Sequence, residues 1–323
     1  MYVYWWLEAL AIVAVDIFVL ISGYFLVESK FKVKNVFKIA ISGVWIYSVF
    51  FTCITMKIDA QGISWSTLFK ACVPILTKKY WFVNSYVLMY ILSPFINKLI
   101  HSLSKKCFNM LIVYFVAFFS IRATVFPMTW SQDSTGGMGI INFIMLYCIG
   151  AWIRIYYKKD EKIAKWLSTY FLMSVLLMLS KVGLIKLGME SLSTKFYSYA
   201  SPVVIVEAVA LFLVFRNKKS MSKKYIIPIN KMARHSFSVY IIHFSMISVL
   251  FTKVFKLSSY FDNIRTGILA VCISVLIIYI TCTIIDVLKC WLFEKIGYAL
   301  KDTVLNRKYE EICCKWETQI NDL

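Results

Sequence analysis

Charged residues are scarce in this chain. They make up 16% of its 323 residues, whereas a soluble domain averages about 25%, and hydrophobic residues make up 60%. This composition excludes an ordinary soluble fold and predicts an integral membrane protein. Acidic residues are especially few, with 17 Asp and Glu against 36 Lys and Arg. Such a basic excess would suggest a nucleic-acid partner in a soluble protein, but lysine-rich cytoplasmic loops explain it here, and no nucleic acid is expected.

Cysteine patterns typical of metal sites are also absent. The chain has nine cysteines, an odd number, and no Cys-x-x-Cys pair. Cys313 and Cys314 are adjacent, a poor spacing for two ligands of one metal ion. We therefore interpret the cysteines as small apolar side chains. We expect no disulfide framework, no metal site and no bound cofactor.

Long apolar segments alternate with basic loops along the chain. The loops after the first, third, fifth and seventh segments and the C-terminal tail hold most of the lysines and arginines, which places them in the cytoplasm and the N-terminus outside. The pattern predicts an all-α polytopic membrane bundle of about nine transmembrane helices over residues 1–300, with a cytoplasmic tail over 301–323. The nine segments are about 4–27, 36–56, 81–100, 108–121, 140–157, 166–185, 203–216, 236–256 and 267–297.

Asp16 lies near the middle of the first apolar segment. A carboxylate at that depth costs a few kcal/mol and usually faces the bundle interior or a wet cavity. Gly23 follows seven residues later, so both residues lie on nearly the same helix face. Because glycine lets helices approach closely, we expect a neighbouring helix to pack on this face.

The eighth segment carries three polar side chains on one face. Ser236, Tyr240 and His243 follow the i, i+4, i+7 spacing of a helix,. Histidine titrates near neutrality, so His243 is a candidate general base. The alternative is a hydrogen-bonded histidine that locks two helices together, because polar groups also join membrane helices.

Other polar residues lie near the segment ends. Glu207, Asn84 and Arg122 lie toward the predicted outer side, where they would either bind an outside substrate or be interfacial, snorkelling or paired residues. Asp286, in the cytoplasmic half of the last segment, is expected to pair with a lysine. His235 follows a basic loop and is expected to be solvated.

Four stretches, in order along the chain, resemble signatures of the membrane-bound acyltransferase 3 family. Val15–Leu26 (VDIFVLISGYFL) is similar to its "VD-FF-LSG-FL" signature, and Tyr80–Phe95 (YWFVNSYVLMYILSPF) to its "WF---Y--LY-LSP" segment. Asn142–Arg154 (NFIMLYCIGAWIR) resembles its "F--LY-IG-YIR" helix, and Ser236–His243 (SFSVYIIH) its "S-G-YLIH" motif. Together they span most of the chain.

The resemblance implies an O-acyltransferase in a bacterial inner or plasma membrane. Such enzymes move an acyl group, usually acetyl, from cytoplasmic acyl-CoA to hydroxyls of a surface polysaccharide or a lipid-linked precursor. The implied partners are membrane lipid, acyl-CoA and a cell-surface glycan or lipid-linked sugar, with acyl-CoA as donor substrate rather than cofactor. The implied site comprises the catalytic candidates His243 and Asp16, and the substrate-binding candidates Trp81, Asn84, Tyr240, Glu207 and Arg122.

The chain departs from the family pattern at its start. Members usually have ten spans, and the first carries an arginine and a histidine regarded as catalytic. This chain begins at the equivalent of the second span, so we expect a misassigned or truncated start, or a degraded paralogue. The competing functions are a transporter or flippase for polysaccharide intermediates and an inactive remnant. Acyl-CoA consumption separates an acyltransferase from a flippase.

Overall fold

Almost the whole chain is helical in the computed structural model. The structure describes all residues except 1, 59–63, 76, 78, 127–135, 160–161, 219–221, 301–303 and 322–323. No strand occurs among the described residues, so the all-α prediction is confirmed. The helices, in chain order, are α1 (Tyr2–Ile12), α2 (Ala14–Leu26), α3 (Val33–Phe37), α4 (Ile46–Ile58), α5 (Trp65–Cys72), α6 (Trp81–Ser102), α7 (Lys105–Phe115), α8 (Arg122–Val125), α9 (Ile140–Tyr156), α10 (Ile163–Lys186), α11 (Glu190–Phe196), α12 (Pro202–Asn217), α13 (Lys223–Ala233), α14 (Ser236–Val249), α15 (Ile264–Leu300) and α16 (Val304–Asn321).

Every predicted apolar segment is helical in the structure. Wider π-helical turns join α3 to α4 and α7 to α8, which makes each pair one continuous rod. Among the described residues, five helical rods are long and apolar enough to cross a membrane, whereas the number of about nine spans stays a prediction. The five are Tyr2–Leu26, Val33–Ile58, Lys105–Val125, Ile163–Lys186 and Ile264–Lys295.

The helices form two compact units, each built from two stretches of chain. The first unit comprises residues 1–31 and 81–220 and therefore contains α1, α2 and α6 to α12. The second unit comprises residues 32–80 and 221–323 and contains α3 to α5 and α13 to α16. Most candidate site residues belong to the first unit, whereas Tyr240 and His243 belong to the second.

Within the first unit, α2 packs closely against α9 through two glycines. A Cβ atom on Gly23 would lie 2.2 Å from the carbonyl oxygen of Tyr147, and one on Gly150 would lie 2.3 Å from that of Leu20. Real Cβ atoms do not approach oxygen this closely, so the two backbones touch only because both residues lack a side chain. The close approach predicted at Gly23 is confirmed.

Asn97 of α6 bonds to both α2 and α9 and so joins three helices. Its Nδ2 donates a hydrogen bond of 2.8 Å to the carbonyl of Leu26, at the C-terminus of α2. Its Oδ1 accepts a hydrogen bond of 2.7 Å from the hydroxyl of Tyr147 in α9. The last carbonyls of a helix have no partner within the helix, so Asn97 satisfies a group that α2 leaves open.

We expect Asn97→Ala to lower the free energy of unfolding by about 1–3 kcal/mol, because the buried Tyr147 hydroxyl and the Leu26 carbonyl both lose a partner. Thermal unfolding of the detergent-solubilised protein measures the effect. Asn109→Ala is the matched control, because Asn109 accepts a hydrogen bond from Trp152 in an exposed contact. Equal losses in the two variants would contradict this role of Asn97.

In the second unit, a buried carboxylate organises the start of α14. Asp286 of α15 accepts hydrogen bonds from the Tyr47 hydroxyl at 2.5 Å and from Nδ1 of His235 at 2.6 Å. Lys289 lies 3.0 Å from its Oδ1 atom, which confirms the predicted lysine pair. The prediction that His235 is solvated is wrong, because the turn between α13 and α14 places its ring against α15, where 18% of the side chain stays exposed.

The predicted cytoplasmic tail contains a helix, α16, that is part of the second unit. α16 packs against α3, where the Lys34 side chain pairs with Glu310 and the Lys34 backbone N–H donates to Glu317 at 3.4 Å. Glu310 is exposed and Glu317 is half-buried. Exposed ion pairs of this kind contribute little to stability.

Candidate active site

Asp16 is completely buried in the first unit. It follows the α1–α2 junction and lies on the face of α2 that carries Leu20 and Gly23, the residues that meet α9. Its side chain is 0% exposed, and neither carboxyl oxygen has a hydrogen-bond partner among the described residues. Burying a carboxyl group without a partner costs several kcal/mol, so packing alone does not explain this residue.

Glu207 of α12 repeats the same arrangement. It is also 0% exposed, and both of its oxygens lack a hydrogen-bond partner in the described part of the chain. α12 packs against α10 and α2, so both carboxyl groups lie inside the same unit. Ionisable residues inside a membrane bundle that are expensive and unpaired mark functional sites more often than structural ones.

Four more buried polar atoms without hydrogen-bond partners among the described residues lie near helix ends of the first unit. They share complete or nearly complete burial and have no hydrogen-bond partner among the residues described: Ser120 Oγ, Thr124 Oγ1, Asn142 Oδ1 and Ser201 Oγ. Ser120 lies in the π-helical turns before α8, Thr124 lies in α8, and Asn142 and Ser201 lie where α9 and α12 begin. The charge pattern predicts this end of the first unit to be on the outer side. We call this end of the first unit the outer end. Buried polar groups are normally bonded to protein or water, so the outer end is built to hold water or a polar ligand.

A cavity of about 480 Å³ opens at the outer end, within the size range of small-molecule sites. Its walls combine helix residues of α1 and α11 with the loops before α9 and α12. Aromatic, polar and acidic side chains are all present. The lining residues are Glu8, Ala11, Ile12, Gly136, Met138, Thr194, Tyr197, Ser198 and Tyr199.

Two tyrosines connect the cavity to the buried carboxyl groups. Burial raises the pKa of the Tyr199 phenol, and the Asp16 carboxylate adds to the rise. Burial likewise raises the pKa of Tyr197, with Glu8 and Glu207 adding to it. These interactions link Asp16 electrostatically to Tyr199 and Glu207 to Tyr197, and both tyrosines line the cavity.

Both tyrosines are held in place by neighbours in the first unit. The Tyr199 ring stacks on Trp81, with ring centroids 5.3 Å apart, and its carbonyl accepts a hydrogen bond from Asn142. The Tyr197 hydroxyl donates to the carbonyl of Trp5 at 3.1 Å. The Lys181 ammonium lies 4.2 Å from the centre of the Tyr197 ring. These contacts fix the positions of both tyrosines in the cavity wall.

The structure brings some predicted site residues together in the first unit. Trp81 stacks on the cavity residue Tyr199, and Asp16 and Glu207 are buried in the same unit. Asn84 lies one helical turn beyond Trp81 in α6 and is half-buried. Arg122 begins α8 and is also half-buried. It is not among the described residues that line the cavity, and its role in substrate binding stays a prediction.

His243 and Tyr240 form a separate pair in the second unit. Their rings meet edge to face, with centroids 5.9 Å apart. Nδ1 of His243 lies 2.8 Å from the carbonyl oxygen of Val239. Because a carbonyl only accepts, Nδ1 carries the proton, and Nε2 of the neutral ring is left with a basic lone pair. The bond lies within α14, so it anchors the ring but does not join two helices as the structural alternative expects, and Nε2 can accept a proton.

The sequence reasoning missed several residues of the outer end. Asn142 and Ser201 lie at helix starts, where a polar residue ordinarily caps the helix or faces water. Tyr197 and Tyr199 are equally typical of an interfacial aromatic belt. No local signal distinguishes these uses, since the decisive fact is which distant residues they meet.

A family comparison adds an independent observation. The model of the acyltransferase 3 family, described as an acyltransferase domain, matches residues 1–285. That range includes every candidate site residue named above. No curated protein and no solved structure matches the chain. With apolar helices that suit a multi-pass membrane protein and a match over most of its length, the chain belongs to the acyltransferase 3 family.

Proposed function

We propose that the protein transfers an acyl group, usually acetyl, from cytoplasmic acyl-CoA to a hydroxyl of a surface polysaccharide or its lipid-linked precursor. The observation that carries this proposal is a pair of buried carboxyl groups, without hydrogen-bond partners among the described residues, in the same unit as an aromatic-walled cavity in a member of an acyltransferase family. A bacterial inner or plasma membrane, with lipid around the bundle, is the setting that fits the acceptor.

The acceptor chemistry suits the outer cavity. Sugars present hydroxyl groups that donate hydrogen bonds to carboxylates and apolar C–H faces that pack on aromatic rings. Glu8 supplies a carboxylate in the cavity wall. We propose that the acceptor also reaches the buried carboxyl groups of Asp16 and Glu207, which have no competing protein partner in the described residues. Trp81 and Tyr199 supply a stacked aromatic wall. Arg122 and Asn84 remain proposed contacts of the same acceptor.

The reaction needs a base, a thioester and a proton for the leaving group. The acceptor oxygen attacks the thioester carbonyl carbon while a base takes the hydroxyl proton. The tetrahedral oxyanion then collapses, the carbon–sulfur bond breaks, and the CoA thiolate takes up the proton. Asp16 acts as the base or orients it in the first unit. His243 offers a basic Nε2 in the second unit, and Tyr240 packs on its ring.

The test uses membranes that contain the protein, with acetyl-CoA labelled in the acetyl group as the probe. We expect free CoA to appear, together with alkali-labile label in the polysaccharide or lipid-linked saccharide fraction. Membranes without the protein are the control. Movement of lipid-linked saccharide without any CoA release would instead support the flippase alternative, and neither activity would support an inactive paralogue.

A further inference from the structure

A cluster of reactive side chains that the proposed reaction does not use lies in the second unit. A ring nitrogen of His235, a carboxylate oxygen of Asp286 and the sulfur of Cys290 all lie within 4.8 Å of one another. Asp286 and Cys290 are one turn apart on α15, so they present their side chains on one face. His235 reaches them from the start of α14, 51 residues earlier in the chain.

The two oxygens of Asp286 have different partners. Oδ1 is held from behind by the Tyr47 hydroxyl at 2.5 Å and by Lys289 at 3.0 Å. Oδ2 faces Nδ1 of His235 at 2.6 Å. Carboxylates that bind a metal ion are usually hydrogen-bonded on their second oxygen in this way, which fixes their orientation. Oδ2 and the histidine nitrogen share one hydrogen bond.

We propose that His235, Asp286 and Cys290 bind a Zn²⁺ ion. Imidazole nitrogen, carboxylate oxygen and thiolate sulfur are the three ligand types that zinc takes in proteins, at about 2.0–2.3 Å. Ligand atoms around such an ion lie about 3–4 Å apart by the same bond lengths, so the three groups need to move by only about an ångström. The ion would replace the proton now shared by His235 and Asp286.

The site would hold three helices together. Zinc ligation joins the start of α14 to α15, and Tyr47 extends the connection to α4 through its bond to Asp286. Three protein ligands leave a fourth position of a tetrahedral ion for water or another small ligand. The charge pattern places this end of the second unit on the cytoplasmic side, where thiols are kept reduced and available for metal binding.

The purified full-length protein tests the site directly. It is loaded with Zn²⁺, passed through a desalting column and analysed for metal and protein content. We expect one tightly held zinc ion per chain, and at least a tenfold lower affinity in Cys290→Ser and His235→Ala by competition with a chromogenic chelator. Cys282→Ser is the matched control, because Cys282 is a buried cysteine of α15 outside the cluster.

Two further readouts keep the test independent of folding and of acyl transfer. Replacing zinc with Co²⁺ should produce a sulfur-to-cobalt charge-transfer band that Cys290→Ser removes and Cys282→Ser keeps. Tyr47→Phe should weaken zinc binding about 10–100-fold, as expected for an outer hydrogen-bond partner of a ligand. Less than one zinc per chain in the wild type, or equal zinc in Cys290→Ser and Cys282→Ser, would overturn the proposal whether or not the protein transfers acyl groups.

Discussion

We expect Asp16→Asn to lower the rate of acyl transfer at least about 100-fold, the usual effect of losing a positioned acid or base, while the protein stays as stable as the wild type. The carboxyl group is fully buried and makes no hydrogen bond within the described residues, so the amide removes no stabilising contact. It also removes an ionisable group whose burial is costly. A residue kept for packing alone would retain its activity in this variant, because asparagine has nearly the same shape as aspartate.

Two measurements on the same preparations separate these outcomes. CoA release from acetyl-CoA reports the rate, and thermal unfolding in detergent reports stability. Glu190→Gln is the control for the removal of one acidic group on the outer side, because Glu190 is exposed at the start of α11. Full activity in Asp16→Asn would remove Asp16 from the site, and Glu207→Gln applies the same test to the second buried carboxyl group.

The second large effect is expected at the contact between α2 and α9. Gly23→Ala should lower the free energy of unfolding by about 1–3 kcal/mol, the usual cost of overpacking a core. The added Cβ would lie 2.2 Å from the backbone oxygen of Tyr147, and a backbone atom in a helix has no rotamer that moves it away. Gly23→Leu should prevent recovery of folded protein, because the larger side chain meets the same helix.

Gly183→Ala provides a control with the opposite sign. Gly183 lies within α10, and a Cβ atom there meets nothing within 4 Å. Alanine is the better helix former by about 1 kcal/mol, so this variant should be as stable as the wild type or slightly more stable. The comparison is made by thermal unfolding under identical detergent conditions. A Gly23→Ala protein that unfolds at the wild-type temperature would contradict a close contact between α2 and α9 that requires glycine.

Local pattern predicted the helices and the central packing face well. Apolar length is a property of the segment itself, so all nine predicted segments appear as helices. The predictions for Asp16 and Gly23 are also confirmed. Asp16 is buried, and a neighbouring helix packs closely on Gly23. The sequence did not determine whether Glu207 is buried, because a glutamate near a segment end is equally compatible with an interfacial position.

Contacts between distant residues could not be predicted in this way. The stacking of Trp81 on Tyr199 joins two loop-proximal aromatic residues far apart in the chain. His235 meets Asp286 across 51 residues, and its basic sequence surroundings gave no sign of a buried partner. Spacing along one helix identifies which side chains share a face, but it does not identify which other helix covers that face.

The most direct test of the central claim follows labelled acetyl groups from acetyl-CoA in membranes that contain the wild type, Asp16→Asn or Glu190→Gln. The account predicts that the wild type and Glu190→Gln release CoA and place alkali-labile acetyl esters in the glycan or lipid-linked saccharide fraction, and that folded Asp16→Asn does neither. Labelling of that fraction by Asp16→Asn at the wild-type rate, or its absence from all three, would contradict an acyltransferase that works through the outer site of the first unit.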